Sequence, residues 1–409
     1  MHAGTHGDDV AVPAVRSKGV SMSSILDLVD RHDKFRASAL NLQASENVVS
    51  PNVRKAMSSD LISRYSLEQD GDDAYGGTRF AREILHQVEG EVSSLFGFRF
   101  AEVRPIGGHI AAEIALLATV RRRENIMAIY EEDGGYTGYV RGFLPDILGF
   151  QSYRIPYSRE RQEIDYTALE KSVSNISPRA IVLGQSFFVR PYDLKRVREI
   201  ADRSGSLVIY DGSHVMGLIA GGEFQPDVSR YCDILLGSTH KTFFGPQGGV
   251  ILTNDEDVFE NVRANVTWRT MDNYHPNRVA ALGVAVEEMK RHGKEYARKV
   301  VANARKMASE LSERGFTVKY APWFTSSHQV ILDRDPAYVK GGSCVRVSRV
   351  LEENMIIIDR EARVGLSEVT RMGLSDMGEI AELMQRAVEG QDVRKEVSEV
   401  VAKEKMQFW

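Results

Sequence analysis

The sequence predicts an α/β protein with a mostly parallel central sheet and a smaller α+β domain at its C-terminal end. Short apolar runs of the kind that fill buried parallel strands recur between residues 125 and 254. An amphipathic stretch ending in glycine lies between two of them, which makes a strand–helix–strand unit and implies a parallel sheet covered by helices. After about residue 280 the texture changes to a long helical stretch followed by short mixed elements.

Each element has its own signal. The first 20 or so residues, rich in Gly, Ala and charge, read as a loose arm. SSILDLVDRHDKF carries apolar residues at helical spacing behind serine caps. FAREILHQVEGEVSSLFG repeats the pattern and stops at Gly97. IAAEIALLATVRRR is a mostly apolar helix opening just after the Gly107–Gly108 pair. IMAIY, RAIVLG, SLVIYD, DILLGS and GVILTN read as strands, and DLKRVREIADRSG as the helix between the second and third. NRVAALGVAVEEMKRHGKEYARKVVANARKMASELSERG reads as a long helix with a break at Gly293. FTVKYAP and HQVILD then read as strands, and VSRVLEEN and MGEIAELMQRAVEG as helices. The expected domains are an N-terminal arm and helix over 1–40, a cofactor-binding large domain over 41–285 and a small domain over 286–409.

Composition narrows the function. The chain has 409 residues, with 52 Lys plus Arg against 57 Asp plus Glu, a net charge of −5. That balance argues against a nucleic-acid or anionic-membrane binder, which needs a basic surface. Two cysteines, Cys232 and Cys344, exclude a disulfide framework and a multi-cysteine zinc site. No stretch reaches the ~20 apolar residues of a membrane span, and the start has no secretory apolar core. The expectation is a cytoplasmic enzyme with free thiols, no bound metal and no membrane contact.

The chemistry concentrates between Ser206 and Gly249. SLVIYDGSH ends a strand at Asp211, and DILLGSTHK carries the chain past a later strand to Lys241. In open α/β sheets, ligands sit at the carboxyl ends of strands. Pyridoxal phosphate needs such a pair: an amine to capture its aldehyde, and a carboxylate to keep its pyridine nitrogen protonated. It also needs backbone N–H groups at a helix N-terminus for its phosphate, and Gly107, Gly108 and His109 head a helix. Each piece alone has a plainer reading: a helix cap, a surface lysine, a turn. Their occurrence together, in the order the chemistry requires, is what argues for the cofactor.

LNLQASENVVSP, DGSHVMGLIAGGEF, STHKTFFGPQGGVILT and ARVGLSEVTRMG resemble signature segments of serine hydroxymethyltransferase, a family of fold-type I pyridoxal phosphate enzymes. The resemblance runs from about Ser24 to about Gly390. It implies that Lys241 is the Schiff-base lysine and Asp211 the pyridine-nitrogen partner. His214 and His240 match family histidines flanking the cofactor, and Ser186 a serine near its ring oxygen. Gly107, Gly108 and His109 align with the phosphate-binding turn. Ser45 and Arg363 match residues that bind the amino-acid carboxylate, for which an arginine fork is suited. Tyr65 and Tyr75 match tyrosines that reach in from a neighbouring subunit, implying a homodimer with shared active sites and a small amino-acid substrate.

The departures bear on the reaction. Leu67 stands where the family has an acid–base glutamate, with Glu68 one place late. In DGGYTGY, Tyr139 takes the place of the histidine that stacks on the cofactor ring. The loop ahead of Arg363 is short, Gln247 replaces an arginine, and Tyr274–His275 replaces a Gly–Gly before Pro276. The cofactor and carboxylate sites thus read as intact and the folate site as degraded. The expected activity is making or breaking the Cα–Cβ bond of β-hydroxy amino acids, as in serine hydroxymethyltransferase, threonine aldolase or threonine transaldolase. The alternatives are another reaction on the same cofactor (transamination, racemisation or decarboxylation) or a catalytically silent cofactor-binding relative.

Overall fold

A computed structural model describes residues 24–69, 71–333 and 343–409. The arm expected over the first 20 residues lies outside the described residues. The first helix, α1 (Ile25–Ala37), opens on a capping box between Ser24 and Asp27. None of its side chains is buried, and Ile25, Leu26, Leu28 and Val29 are exposed.

The central sheet has seven strands: β1 (Phe100–Glu102), β2 (Asn125–Ala128), β3 (Gln151–Arg154), β4 (Ala180–Leu183), β5 (Leu207–Asp211), β6 (Ile234–Ser238) and β7 (Gly249–Thr253). Their spatial order is β1-β7-β6-β5-β4-β2-β3. All neighbours are parallel except β7, which runs antiparallel to both β6 and β1. The apolar runs are continuous because both faces are covered. Ile181, Leu183, Val208 and Tyr210 enter one core, while Ala180, Val182 and Ile209 enter the core on the opposite face. Helix α2 (Arg79–Phe96) packs its Leu85, Val88 and Val92 into the first core and ends at Gly97 in the left-handed region. Helix α3 (Gly108–Thr119) buries Ala111, Ile114 and Ala115 in the second.

Helix α4 (Pro276–Glu313) is continuous, so the break expected at Gly293 is absent. Gly221 packs closely against this stretch: a Cβ on Gly221 would lie 2.5 Å from the Gly293 carbonyl oxygen and 2.4 Å from the Ala297 Cβ, while a Cβ on Gly293 itself would meet Met289 Sδ at 2.6 Å. Beyond it, FTVKYAP is not a strand either. Only Val318 forms a bridge, to Leu332, and Tyr320 adopts a positive φ of 66° that ends any extended run. HQVILD does supply a strand, β8 (Gln329–Ile331), paired antiparallel with β9 (Arg363–Gly365).

The C-terminal part has its own apolar core, including Met307, Leu311, Val330, Leu351 and Val364. Leu40 and Leu42 join it, because Leu40–Asn41 pairs in parallel with Ile356–Ile357. Helix α4 serves both cores, the large one as far as Val301 and the small one from Ala304. Cys232 and Cys344 are free and buried. Among the described residues, no helix is long and apolar enough to cross a membrane.

A buried ion pair joins these parts. Arg371 and Glu288 are both fully buried, with Arg371 Nη2 donating to Glu288 Oε2 at 2.9 Å. Ser50 Oγ donates to the other carboxylate oxygen at 2.5 Å, and Arg371 Nη1 donates to the Phe408 carbonyl at 3.1 Å. Removing one partner strands a charge in low dielectric, so Arg371→Ala or Glu288→Ala should each cost about 3–5 kcal/mol. The double variant should cost clearly less than the sum, read by denaturant unfolding of all four proteins. Additive losses would show that the two charges do not depend on each other.

Candidate active site

The carboxyl ends of β5 and β6 and the N-terminus of α3 meet around a crevice of about 440 Å³. Of the residues singled out by sequence, Gly108, His109, Ser186, Asp211, His214 and Lys241 line it. Gly107 directly precedes α3 and has no side chain to cap its first turn, leaving N–H groups for an anion. A side chain at 108 would crowd two hydroxyls, since a Cβ would lie 2.2 Å from Ser238 Oγ and 3.2 Å from Ser213 Oγ. Those two hydroxyls, on lining residues that sequence reasoning missed, add donors beside the helix end.

Asp211 is 6% exposed, at the last position of β5. Its Oδ1 accepts from the Ser213 N–H at 2.9 Å and its Oδ2 from the Tyr139 hydroxyl at 2.8 Å. Burial, and then the Asp211 charge, raise the Tyr139 phenol well above its usual range, so it remains a donor. This corrects the expected position of Tyr139 as a wall of the crevice. Its ring is 1% exposed in the core, and Tyr136 lines the crevice in its place. The cause is local: the Tyr136 ring folds back over Gly138, where a Cβ would lie 2.4 Å from that ring. The Tyr136 hydroxyl then meets His109 Nδ1 at 2.8 Å.

Lys241 faces Asp211 from the loop after β6. Its carbonyl accepts from Asn47 Nδ2 at 2.8 Å, and its Nζ lies 3.3 Å from His214 Nε2. Burial lowers the amine; Asp211 opposes this and Arg363 adds to it, leaving the pKa at about 8. Burial, followed by the Lys241 charge, holds His214 well below the usual imidazole range.

The tautomer of His214 follows from Gln329. The Phe188 N–H donates to Gln329 Oε1 at 3.0 Å, which orients the amide. Gln329 Nε2 therefore donates, to the Ser186 carbonyl at 3.0 Å and to His214 Nδ1 at 3.1 Å. With Nδ1 accepting, the neutral ring carries its proton on Nε2 and presents it to a neutral Lys241 amine. Nothing in the isolated sequence signals Gln329 in this role. Beside it, His328 stacks on His214 at 5.9 Å, and its Nε2 donates to the Ala44 carbonyl at 2.9 Å. Burial pulls His328 down to about 3.

The other expected residues stand further out. His240, next to Lys241, does not line the crevice. Its buried Nδ1 has no hydrogen-bond partner, and burial lowers it to about 4. Arg363 touches the wall from behind, its Nη1 donating to the Ser186 carbonyl at 2.7 Å. Ser45 is on a segment tied down at Ala44 by His328 and at Asn47 through Lys241, but it does not line the crevice. Tyr65 and Tyr75 are 42% and 43% exposed on the outer surface, their rings 5.1 Å apart, with the Tyr65 hydroxyl on Asp272. Leu67 is buried, and no bulge carries Glu68 into the crevice. Glu68 faces His86 Nε2 at 2.9 Å and Arg82 at 3.8 Å.

The family described as serine hydroxymethyltransferase matches residues 20–400. The chain is 38% identical to the serine hydroxymethyltransferase of Methanothermobacter thermautotrophicus over 400 residues, covering 92% of this chain and 93% of that one. It is 34% identical to that of Korarchaeum cryptofilum over 424 residues, covering 96% of each. Among solved structures, L-threonine transaldolase from Pseudomonas fluorescens, in its internal aldimine state, superposes with a TM-score of 0.84 at 25% identity. That match covers 93% of this chain and 90% of the other. Similarity of this extent, in sequence and in backbone, carries one conclusion: the chain belongs to the serine hydroxymethyltransferase family.

Proposed function

We propose that the protein is a pyridoxal phosphate enzyme that makes or breaks the Cα–Cβ bond of β-hydroxy amino acids and does not require a folate carrier. The observation that carries this reading is a buried, low-pKa Lys241 amine sharing one crevice with Asp211 and with the glycine-headed start of α3.

The residues present fit the cofactor. The uncapped start of α3 with Ser213 and Ser238 suits its phosphate, Asp211 its pyridine nitrogen, Tyr136 a ring face, and Lys241 its aldehyde. When bound, the group supplies an electron sink for the bond that breaks. The chain supplies the rest. Arg363 holds the amino-acid carboxylate behind Ser186. Burial brings Lys241 to about 8, which raises the share of its nucleophilic neutral form, and His214, with its proton on Nε2, orients that form. Asp211, fixed by two donors, presents its carboxylate where the nitrogen proton is needed.

Two features support independence from folate. Glu68 is committed to His86 and Arg82, with a buried leucine ahead of it. The connection before Arg363 is a tight turn closed on Asp359, with no room for an inserted loop in its hydrogen bonding. A homodimer accounts for the exposed apolar face of α1 and for Ile62, Phe80 and Trp268, each about two-thirds exposed. It would bring Tyr65 and Tyr75 to a partner's crevice.

Lys241→Ala should abolish both the visible absorbance of lysine-bound cofactor and turnover; survival of either contradicts the assignment. The recombination rate of apoprotein with pyridoxal phosphate should rise with pH through a midpoint near 8, the neutral amine being the reactive form. An ordinary lysine is only about 0.4% neutral at that pH, and its rate would still be climbing near pH ~10. In a product assay with serine, threonine and glycine plus an aldehyde, turnover should proceed equally with and without folate carriers. Serine cleavage that appears only with a folate would overturn the folate-independent reading.

A further inference from the structure

Arg363 does not wait in the site as a free fork. Its Nε donates to Asp359 Oδ2 at 2.6 Å, and its Nη1 donates to the Ser186 carbonyl at 2.7 Å. Both side chains of the pair are largely buried, Arg363 at 13% and Asp359 at 12% exposure. Asp359 is itself immobilised, since its Oδ1 accepts from the backbone N–H groups of Glu361 at 2.9 Å and of Arg363 at 3.0 Å. The Phe187 ring covers one face of the guanidinium, 4.7 Å from Cζ. The plane, the depth and one edge of the guanidinium are therefore set before any ligand arrives.

We infer that Asp359 is a positioning residue that selects which edge of Arg363 meets the substrate carboxylate. This rests on the reading of Arg363 proposed above. A guanidinium has five N–H donors in a planar fork. Asp359 takes the one on Nε, and Ser186 takes one on Nη1. Three remain, one on Nη1 and two on Nη2. A carboxylate is left with the Nη1/Nη2 end and loses the Nε/Nη2 side. The amino acid is thus received end-on, with its α-carbon and amine pointed along one direction relative to Lys241. The arrangement has an electrostatic cost, because a fixed anion beside Arg363 weakens its pull on a second one. The two effects of Asp359 on substrate binding have opposite signs, so experiment can tell them apart.

The test uses the pyridoxal phosphate holoenzyme and follows its visible spectrum on titration with glycine and with methylamine, an amine lacking the carboxylate. Asp359→Asn keeps the shape and the Oδ1 acceptor of the turn but places no anion on Nε. It should weaken glycine about tenfold and leave methylamine within about twofold, at an unchanged thermal midpoint. Asp359→Glu, which can still reach Nε, should recover most of the loss. Tighter glycine binding in Asp359→Asn would show that Asp359 only opposes the substrate charge, and would overturn the proposal. So would unchanged glycine binding, or equal weakening of both amines, which marks a general disturbance of the site. If wild-type holoenzyme shows no response to glycine, the preceding functional reading fails and this one with it.

Discussion

The ion pair between Glu288 and Arg371 is the constraint on which the rest of the architecture leans. Two charges fully out of water are tolerated when each is held by its opposite and most of the leftover hydrogen-bonding capacity is met, here all but Arg371 Nε. Here that requirement recruits four stretches of chain. Glu288 comes from the long helix α4, Arg371 from just beyond β9, Ser50 from the segment ahead of α2, and Phe408 from the C-terminal tail. The guanidinium also lies 3.7 Å from the centroid of Phe244, whose N–H donates to the Lys241 carbonyl. A small displacement of the pair would therefore be felt at the lysine loop, which Asn47 holds from the other side.

Above that foundation, the crevice is a problem in charge placement. Asp211 supplies one anion at its base, Arg363 one cation behind its wall, and between them burial brings Lys241 down to about 8, so its neutral form is reached far more easily than an ordinary lysine's. Direction matters as well as burial. Phe188 orients Gln329, Gln329 selects the His214 tautomer, and His214 offers its proton to the amine. Each link is an ordinary hydrogen bond of modest net worth. The chain of them converts a backbone N–H of the large domain into a preference for one protonation state of a side chain in another loop.

The parts of this arrangement visible in the sequence are those set by one strand or one turn. Asp211 and Lys241 were legible because an apolar run of the right length ends just before each, and strand ends in such sheets face ligands. Gly108 was legible only in their company, since a glycine pair ahead of a helix reads first as a turn. Orientations decided by packing from elsewhere were not. Tyr136 and Tyr139 differ by three residues in the same short loop, and the bare Cα of Gly138 determines which ring turns outward. Gln329 owes its role to a backbone group at position 188, far off in sequence. Gly293 reads locally as a helix breaker at about 1 kcal/mol, a cost that burial along α4 overrides. FTVKYAP alternates like a strand, yet Tyr320 takes a left-handed conformation that no periodicity reports.

Helix α4 carries a mechanical consequence. At 1.5 Å per residue its 38 residues span about 57 Å, and one unbroken rod of backbone hydrogen bonds passes from the large core into the small one. Two cores that share one unbroken helix have no break in it to serve as a hinge, and the glycine that could have been one is helical and buried. Any tightening around a ligand must come from elements lighter than the domains: the 134–139 loop, the turn at Asp359, and the segment running from Ala44 to Ser50. Such motions are fast and small in amplitude. The geometry that receives a substrate is, on this account, largely the geometry that already stands.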